Sequence, residues 1–238
     1  MSCNNLQFDR KEKGMDKRFW NRVIFRDISK ESKEAIIQMN KIKAEYQANE
    51  KILSEGDPID HICIIVSGVL KSTEYTIDGK ELNSSYFFGE DMYPGGDAFP
   101  FYMVYGGMKY HVSHTYCVKK ASVIWLPVVE LKPIINSDPV FLKNVLTFVS
   151  QYTCHSKLLL RCVQYRKVKD RLAYWMTHIH DPSRIICIPN SQEVLADILH
   201  VNRSSLNQAL QSYIEEGIIE IDGKEISILK QEELIHSI

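Results

Sequence analysis

Between residues 138 and 163 the side chains Phe141, Val145, Phe148, Tyr152, His155, Leu159 and Cys162 are spaced 4-3-4-3-4-3. That spacing is a heptad seam over more than three repeats, on a helix about 39 Å long at ~1.5 Å rise per residue. Leu142, Leu146 and Val149 supply a second apolar edge, which the pattern would lay against the rest of the chain. A seam this regular, with two apolar edges, favours a parallel dimer helix. A long helix buried within one chain is the plainer alternative. His155 and Cys162 make the seam imperfect, as suits an interface that adjusts.

Before this helix the period is that of short strands. Residues 62–66 read as a buried strand ended by Ser67-Gly68, and residues 69–77 lead to Asp78-Gly79, a two-residue hairpin signal. Tyr86-Phe87-Phe88 follows, then a loop rich in aromatics opened by Pro94-Gly95-Gly96-Asp97, then strands over 109–118 and 123–127. Many short strands at regular spacing imply a small antiparallel barrel or double-sheet roll. Further upstream, residues 19–39 carry helical spacing broken near Asp27-Ile28-Ser29, with Ser29 as an N-cap. Residues 1–18 are polar and read as a flexible arm.

After the seam the spacing predicts a helix over 168–179, a short strand over 185–189, and two short helices within 191–217 joined at His200-Val201-Asn202. Ser191 and Asn202 are the expected N-caps. Val194, Leu195, Ile198 and Leu199 form the buried stripe of the first helix, and Leu206, Leu210 and Ile214 that of the second. Arg203, Ser204, Ser205, Asn207, Gln208 and Gln211 occupy much of the rest. An exposed helix of hydrogen-bonding side chains suits the DNA major groove, and an ordinary helical hairpin is the bland alternative. Residues 218–221 and 226–229, around Gly223, form a hairpin or wing.

Charge gives no electrostatic argument for nucleic acid. The whole chain carries −1, and from Gln164 onward eight Lys and Arg face eleven Asp and Glu. Basic residues cluster at the helix junction, at Lys157, Arg161, Arg166, Lys167, Lys169 and Arg171. Any affinity for DNA must therefore come from local placement. None of the six cysteines forms a CxxC pair, so spacing supports no metal site. No apolar run is long enough to span a bilayer and no secretory signal opens the chain, which makes the cytoplasm the default expectation. No catalytic constellation emerges either. His178 and His180 on a helix end would point about 200° apart, and neither a phosphate loop nor a nucleophile elbow is present.

Roll, long helix and winged helix-turn-helix, in that order, resemble the cyclic-AMP receptor protein/FNR family of bacterial transcription regulators. The matching residues are 62–69 (ICIIVSGV) with Asp78-Gly79-Lys80-Glu81, and 191–217 followed by Ile218-Ile219. The resemblance implies an α+β fold. It would comprise a β-roll sensor of the cyclic-nucleotide-binding jelly-roll type over 19–137, a dimerisation helix over 138–163, and a winged helix-turn-helix DNA-binding domain over 164–238. It implies a homodimer on double-stranded operator DNA, with RNA polymerase as a further partner. By position, Arg203, Ser204 and Gln208 would read base edges, with Asn207 beside them. Ser191, Gln192, Asn202 and Ser205 would meet backbone phosphates. Better-known members carry a glutamate near position 204 and an arginine near 208, so this chain should read a different operator. They also have a glycine where this turn has His200, a residue that tolerates the left-handed conformation better than most.

The sensor departs further. Cyclic-nucleotide-binding members reach the ribose with a Gly-Glu pair and grip the phosphate with an arginine followed by Ser or Thr. Gly89-Glu90 offers the first element only superficially, and residues 106–118 contain no arginine, His111 falling near its place. A cyclic nucleotide is therefore disfavoured. Tyr86, Tyr93, Phe99, Tyr102, His111, Ser113, Phe148 and Tyr152 instead suggest a pocket for a small apolar or aromatic effector, with no cofactor. That resembles a family branch in which an aromatic acid binds between roll and long helix. Haem at His111 or His114, and redox chemistry at Cys117, Cys154 or Cys162, rank below it.

Overall fold

Two long strands organise the first unit in a computed structural model that describes residues 15, 17–89, 96–179 and 185–238. The expected N-terminal arm and Tyr93 lie outside those residues almost entirely or wholly. Within them, α1 (Lys17–Trp20) and α2 (Lys30–Gln38) lead into β1 (Ile42–Tyr46), β2 (Lys51–Leu53), β3 (His61–Tyr75), β4 (Glu81–Phe88) and β5 (Ala98–Phe99). Then come α3 (Phe101–Tyr105), β6 (His114–Pro127), α4 (Val128–Ser137) and α5 (Pro139–Cys162). The sheet runs β1-β6-β3-β4, with β2 paired to β6 and β5 to β3, all antiparallel. With the helices this is the expected α+β roll.

The strands differ from expectation at three places. Ser67-Gly68 does not end a strand: 62–66 and 69–75 belong to one strand, β3, whose register against β6 shifts around Ser67 and Val69. Gly68 permits that bulge, because it has φ +91° and a Cβ there would lie 2.3 Å from the Lys120 carbonyl oxygen. Likewise β6 is one strand from His114, whereas 109–113 carry only an isolated bridge from Tyr110 to Pro58. The hairpin at Asp78-Gly79 is a loop of 76–80 closed by Thr76 N–H to the Lys80 carbonyl, with Gly79 alone left-handed.

The bulge decides which side chains face which core. Before it, Cys63 and Ile65 point into the roll with Val123 and Trp125, while Ile62 and Ile64 point outward with Ile124 and Leu126. After it the parity flips: Leu70 joins the interior beside Phe87 and Cys117. The outer core lies between sheet and helices, where Phe25, Ile36, Phe101, Leu131 and Phe141 gather.

Helix α5 buries the first part of the expected seam within its own chain. Phe141, Val145 and Phe148 are buried inside their own chain, in that outer core. His155 and Cys162 are buried too, and Tyr152 and Leu159 are half-buried. On the neighbouring edge Leu142, Leu146 and Leu160 are 41%, 66% and 62% exposed, whereas Val149 is half-buried against the outer core. Gly96 fixes the inward edge, since a Cβ on it would lie 2.6 Å from the Phe148 ring. Asp138 starts the helix, its Oδ1 accepting from the N–H groups of Val140 (3.0 Å) and Phe141 (3.1 Å).

The second unit begins at Thr153, inside α5. It contains α6 (Val168–His178), β7 (Ile185–Cys187), α7 (Gln192–Ile198), α8 (Arg203–Glu215), β8 (Ile219–Asp222), β9 (Glu225–Ile228) and α9 (Gln231–His236). The short sheet is ordered β7-β9-β8, a wing as expected. Its core gathers Leu172, Trp175, Leu195, Leu206, Leu210 and Tyr213, all essentially inaccessible.

Candidate nucleic-acid interface and sensor interior

Helix α8 divides cleanly into two faces. Leu206, Ala209, Leu210 and Tyr213 are buried, so Tyr213 takes the place expected of Ile214, which is exposed. Arg203, Ser204, Asn207, Gln208 and Gln211 are all exposed. At ~100° per residue they fall within an arc of about 140°. This is one continuous face of amide, hydroxyl and guanidinium groups, the chemistry that reads base edges. Gln211 completes it and turns toward Glu215, its Nε2 lying 3.2 Å from Oε1.

The polar residues at the helix starts have structural duties first. The Ser191 hydroxyl accepts from Val194 N–H (3.3 Å) and caps α7. Asn202 Oδ1 accepts from Ser205 N–H (2.7 Å) and from the Ser204 hydroxyl (2.8 Å). The carbonyl oxygen of Asn202 and the Ser204 proton are thus engaged within the protein, while Arg203, Asn207 and Gln208 point outward from the rest of the face. Gln192 is half-buried at the first turn of α7, and Ser205 is half-buried on α8. His200 has φ +52° and closes the turn. Val201 N–H reaches the Ala196 carbonyl (2.9 Å) and His200 N–H that of Asp197 (3.0 Å), a Schellman ending in which histidine takes the usual glycine's position.

The face is held from behind by α6. Lys169 Nζ donates to Ser212 Oγ (2.9 Å) and to Glu216, and lies 4.6 Å from the Tyr213 ring centroid. This accounts for one cation of the basic cluster seen in the sequence: it braces the fold.

The interior of the roll holds a column of rings. Tyr102, Tyr152, Phe87 and Phe99 succeed one another at centroid distances of 5.5, 6.2 and 4.8 Å, with planes 11°, 8° and 28° apart. Of the pocket residues expected from sequence, Phe99, Tyr102 and Tyr152 come together here. Tyr86 does not: it lies on the opposite face, stacked with Phe88 and under the Lys71 ammonium. Strand alternation makes Phe87 the inward neighbour, a residue that the sequence reading missed. Phe148 packs in the outer core and stays out of the column.

Beside the rings lies a row of hydroxyls. Ser72 pairs in register with Ser85 on one side and Thr115 on the other, two residues beyond the inward Leu70. Ser72 Oγ is 2.6 Å from Ser113 Oγ, Thr115 Oγ1 is 3.5 Å from Ser72 Oγ, and Ser85 Oγ is 3.2 Å from the Tyr152 hydroxyl. Ser113 was expected. The parity flip at Gly68 hid Ser72 from the sequence; Ser85 and Thr115 share the parity of inward Phe87 and Cys117 on their own strands. Burial pushes the His111 imidazole below its ordinary value against an opposing pull from Asp57, so it is neutral at pH 7. Burial also pushes the Cys117 thiol up and that of Cys162 up to about 12, so both are protonated. His114 faces outward between Tyr75 and Tyr116. Among the described residues no three His, Cys, Asp or Glu side chains are grouped to hold a metal, and no helix is long and apolar enough to cross a membrane.

Two family models match the chain: the Crp-like helix-turn-helix domain over residues 170–237 and the cyclic nucleotide-binding domain over 43–103. The chain belongs to the Crp/Fnr family. It is a Crp/Fnr-like transcription regulator with those two domains. Solved structures share the fold at low identity. CooA from Carboxydothermus hydrogenoformans, in a mutant form, matches with a TM-score of 0.63 and 13% identity, covering 97% of each chain. FixK2 from Bradyrhizobium japonicum gives 0.60 and 17%, covering 82% of this chain and 96% of its own. The c-di-GMP-responsive regulator CLP from Xanthomonas campestris gives 0.56 and 13%, covering 84% and 99%. No curated protein sequence matches the chain. The cyclic nucleotide-binding match stops at residue 103, before His111 and the hydroxyls of Ser113 and Thr115.

Proposed function

We propose that this Crp/Fnr protein is a homodimeric, sequence-specific DNA-binding regulator whose sensor responds to a small uncharged aromatic effector. The continuous exposed face of α8, from Arg203 to Gln211, carries the DNA reading. Arg203 can donate two hydrogen bonds to guanine and Gln208 can pair with adenine, each good pair discriminating by ~1–3 kcal/mol. RNA polymerase, met at a promoter, is the third proposed partner.

The dimer contact is the exposed edge of α5. Leu142, Leu146, Val149, Thr153, Ser156, Leu160 and Val163 repeat the 4-3-4-3-4-3 spacing one residue beyond the seam read first. Three exposed leucines in heptad register on one long helix support a second copy of the same helix as their cover.

The effector reading rests on the ring column and hydroxyl row. Hydroxyls and aromatic faces suit a flat neutral ring with hydrogen-bonding substituents, whereas a cyclic phosphate would find no arginine fork in residues 106–118. Selection of binding sites from random duplexes tests the DNA reading, and a recurring motif is the expected result. Calorimetry with cyclic AMP tests the effector reading; saturable micromolar binding would overturn it.

A further inference from the structure

One side chain holds both the end of α5 and the turn of the helix-turn-helix. Arg171, on the first turns of α6, donates through Nη1 to the carbonyls of Leu199 (2.8 Å) and His200 (3.0 Å). Through Nη2 it donates to those of Tyr165 (2.7 Å) and Val163 (3.3 Å), and through Nε to Tyr165 again (3.2 Å). Residues 163–165 leave the C-terminus of α5, and 199–200 leave that of α7. Helix C-termini present carbonyls without helical partners and a partial negative charge. A planar guanidinium with five donors can serve two such ends at once, which an ammonium cannot do with the same geometry.

We propose that Arg171 is a positioning residue that fixes the bearing of α8 on the end of α5. The turn at 199–202 sets where α8 begins, since Asn202 caps it. A displacement of residues 163–165 therefore pulls on 199–200 through the same guanidinium, and the recognition helix turns with it. Among the described residues Lys169 ties α6 to α8 without a bond to the end of α5, so the two contacts are separable. The proposal rests on α8 being the DNA-reading helix only for its consequence, since the coupling itself can be measured without DNA.

The test is hydrogen exchange by mass spectrometry on the full chain, comparing wild type with Arg171→Lys and Arg171→Gln. The expected result is that amides of 163–167 and 199–203 exchange at least tenfold faster together in both variants. Amides of the β7-β9-β8 sheet should stay within about twofold of wild type. Acceleration in only one of the two segments, or spread evenly over the unit as general loosening, would overturn the proposal. A second arm compares a duplex selected by the wild type with a random duplex of equal length. The ratio of the two affinities should fall at least tenfold in Arg171→Gln, with random-duplex affinity unchanged; an unchanged ratio also overturns it. If wild type selects no sequence, the DNA reading fails while the exchange data still decide on Arg171.

Discussion

Tyr152 of α5 and Phe87 of β4 lie face to face, ring centroids 6.2 Å apart and planes 8° from parallel. The long helix thus inserts one of its own rings into the roll, with the phenol set against Ser85. On the proposed function, an aromatic effector entering this column would displace or restack Tyr152 and so act on α5.

Removing only the hydroxyl, in Tyr152→Phe, should cost about 1 kcal/mol, the scale of one hydrogen bond. Tyr152→Ala should cost about 2–4 kcal/mol by leaving a ring-sized void. p-Cresol should raise the melting temperature of Tyr152→Ala by more than it raises that of wild type. Absence of rescue would mean that the column does not accept a free ring.

Asp138 joins two helices through one carboxylate. Oδ2 accepts from Ser29 N–H (2.9 Å) and the Ser32 hydroxyl (2.7 Å), while Oδ1 caps α5. These bonds hold its carboxyl down at about 2 despite the opposing desolvation, the largest single influence on it. The folded value lies below the ordinary ~3.9, so the stabilisation is complete above about pH 4 and is lost as pH falls through about 2. Asp138→Ala should cost about 1–3 kcal/mol in urea unfolding at pH 7, and the variant's midpoint should depend less on pH below 4. Equal acid sensitivity in both proteins would contradict this account.

His155 titrates in a different window. Burial pushes its imidazole down to about 4. Below about pH 6.5 the unfolded chain takes up a proton that the folded chain refuses, so stability falls as pH drops from 6.5 toward 4 and is full above 6.5. The slope from this residue approaches about 1.4 kcal/mol per pH unit. Urea midpoints at pH 7 and pH 5 should differ less in His155→Gln than in wild type; an equal difference would assign the effect elsewhere.

The elements that declared themselves in the sequence are those with local signals. Ser29, Ser191 and Asn202 cap helices where their side chains said they would. Helix α4 escaped because Pro133 sits inside it and reads as a breaker. There the proline removes only one helical bond, to the carbonyl of Val129, an exposed residue.

What escaped in the candidate site depended on face rather than element. Spacing identifies a heptad edge but does not choose between adjacent edges, and α5 has one at Phe141 and another at Leu142. Side-chain volume decides: the phenylalanines fill the outer core and the leucines remain outside. Tyr86 and Phe87 differ in the same way, by one residue of strand alternation. The bulge at Gly68 then hid the inward set of Ser72 behind an apparent strand end.

The exposed leucine edge predicts oligomeric state. Leu146→Lys and Leu160→Lys together should convert a dimer to a folded monomer in sedimentation velocity. The double variant sedimenting as wild type would exclude that edge as the interface.

The most direct measurement is the affinity of wild type and Arg203→Ala for a duplex selected by the wild type, at one fixed salt concentration. Loss of a bidentate guanine contact should weaken binding about 10- to 100-fold, while the oligomeric state and affinity for a random duplex stay nearly constant. Unchanged affinity for the selected duplex would contradict the assignment of α8 as the reading helix.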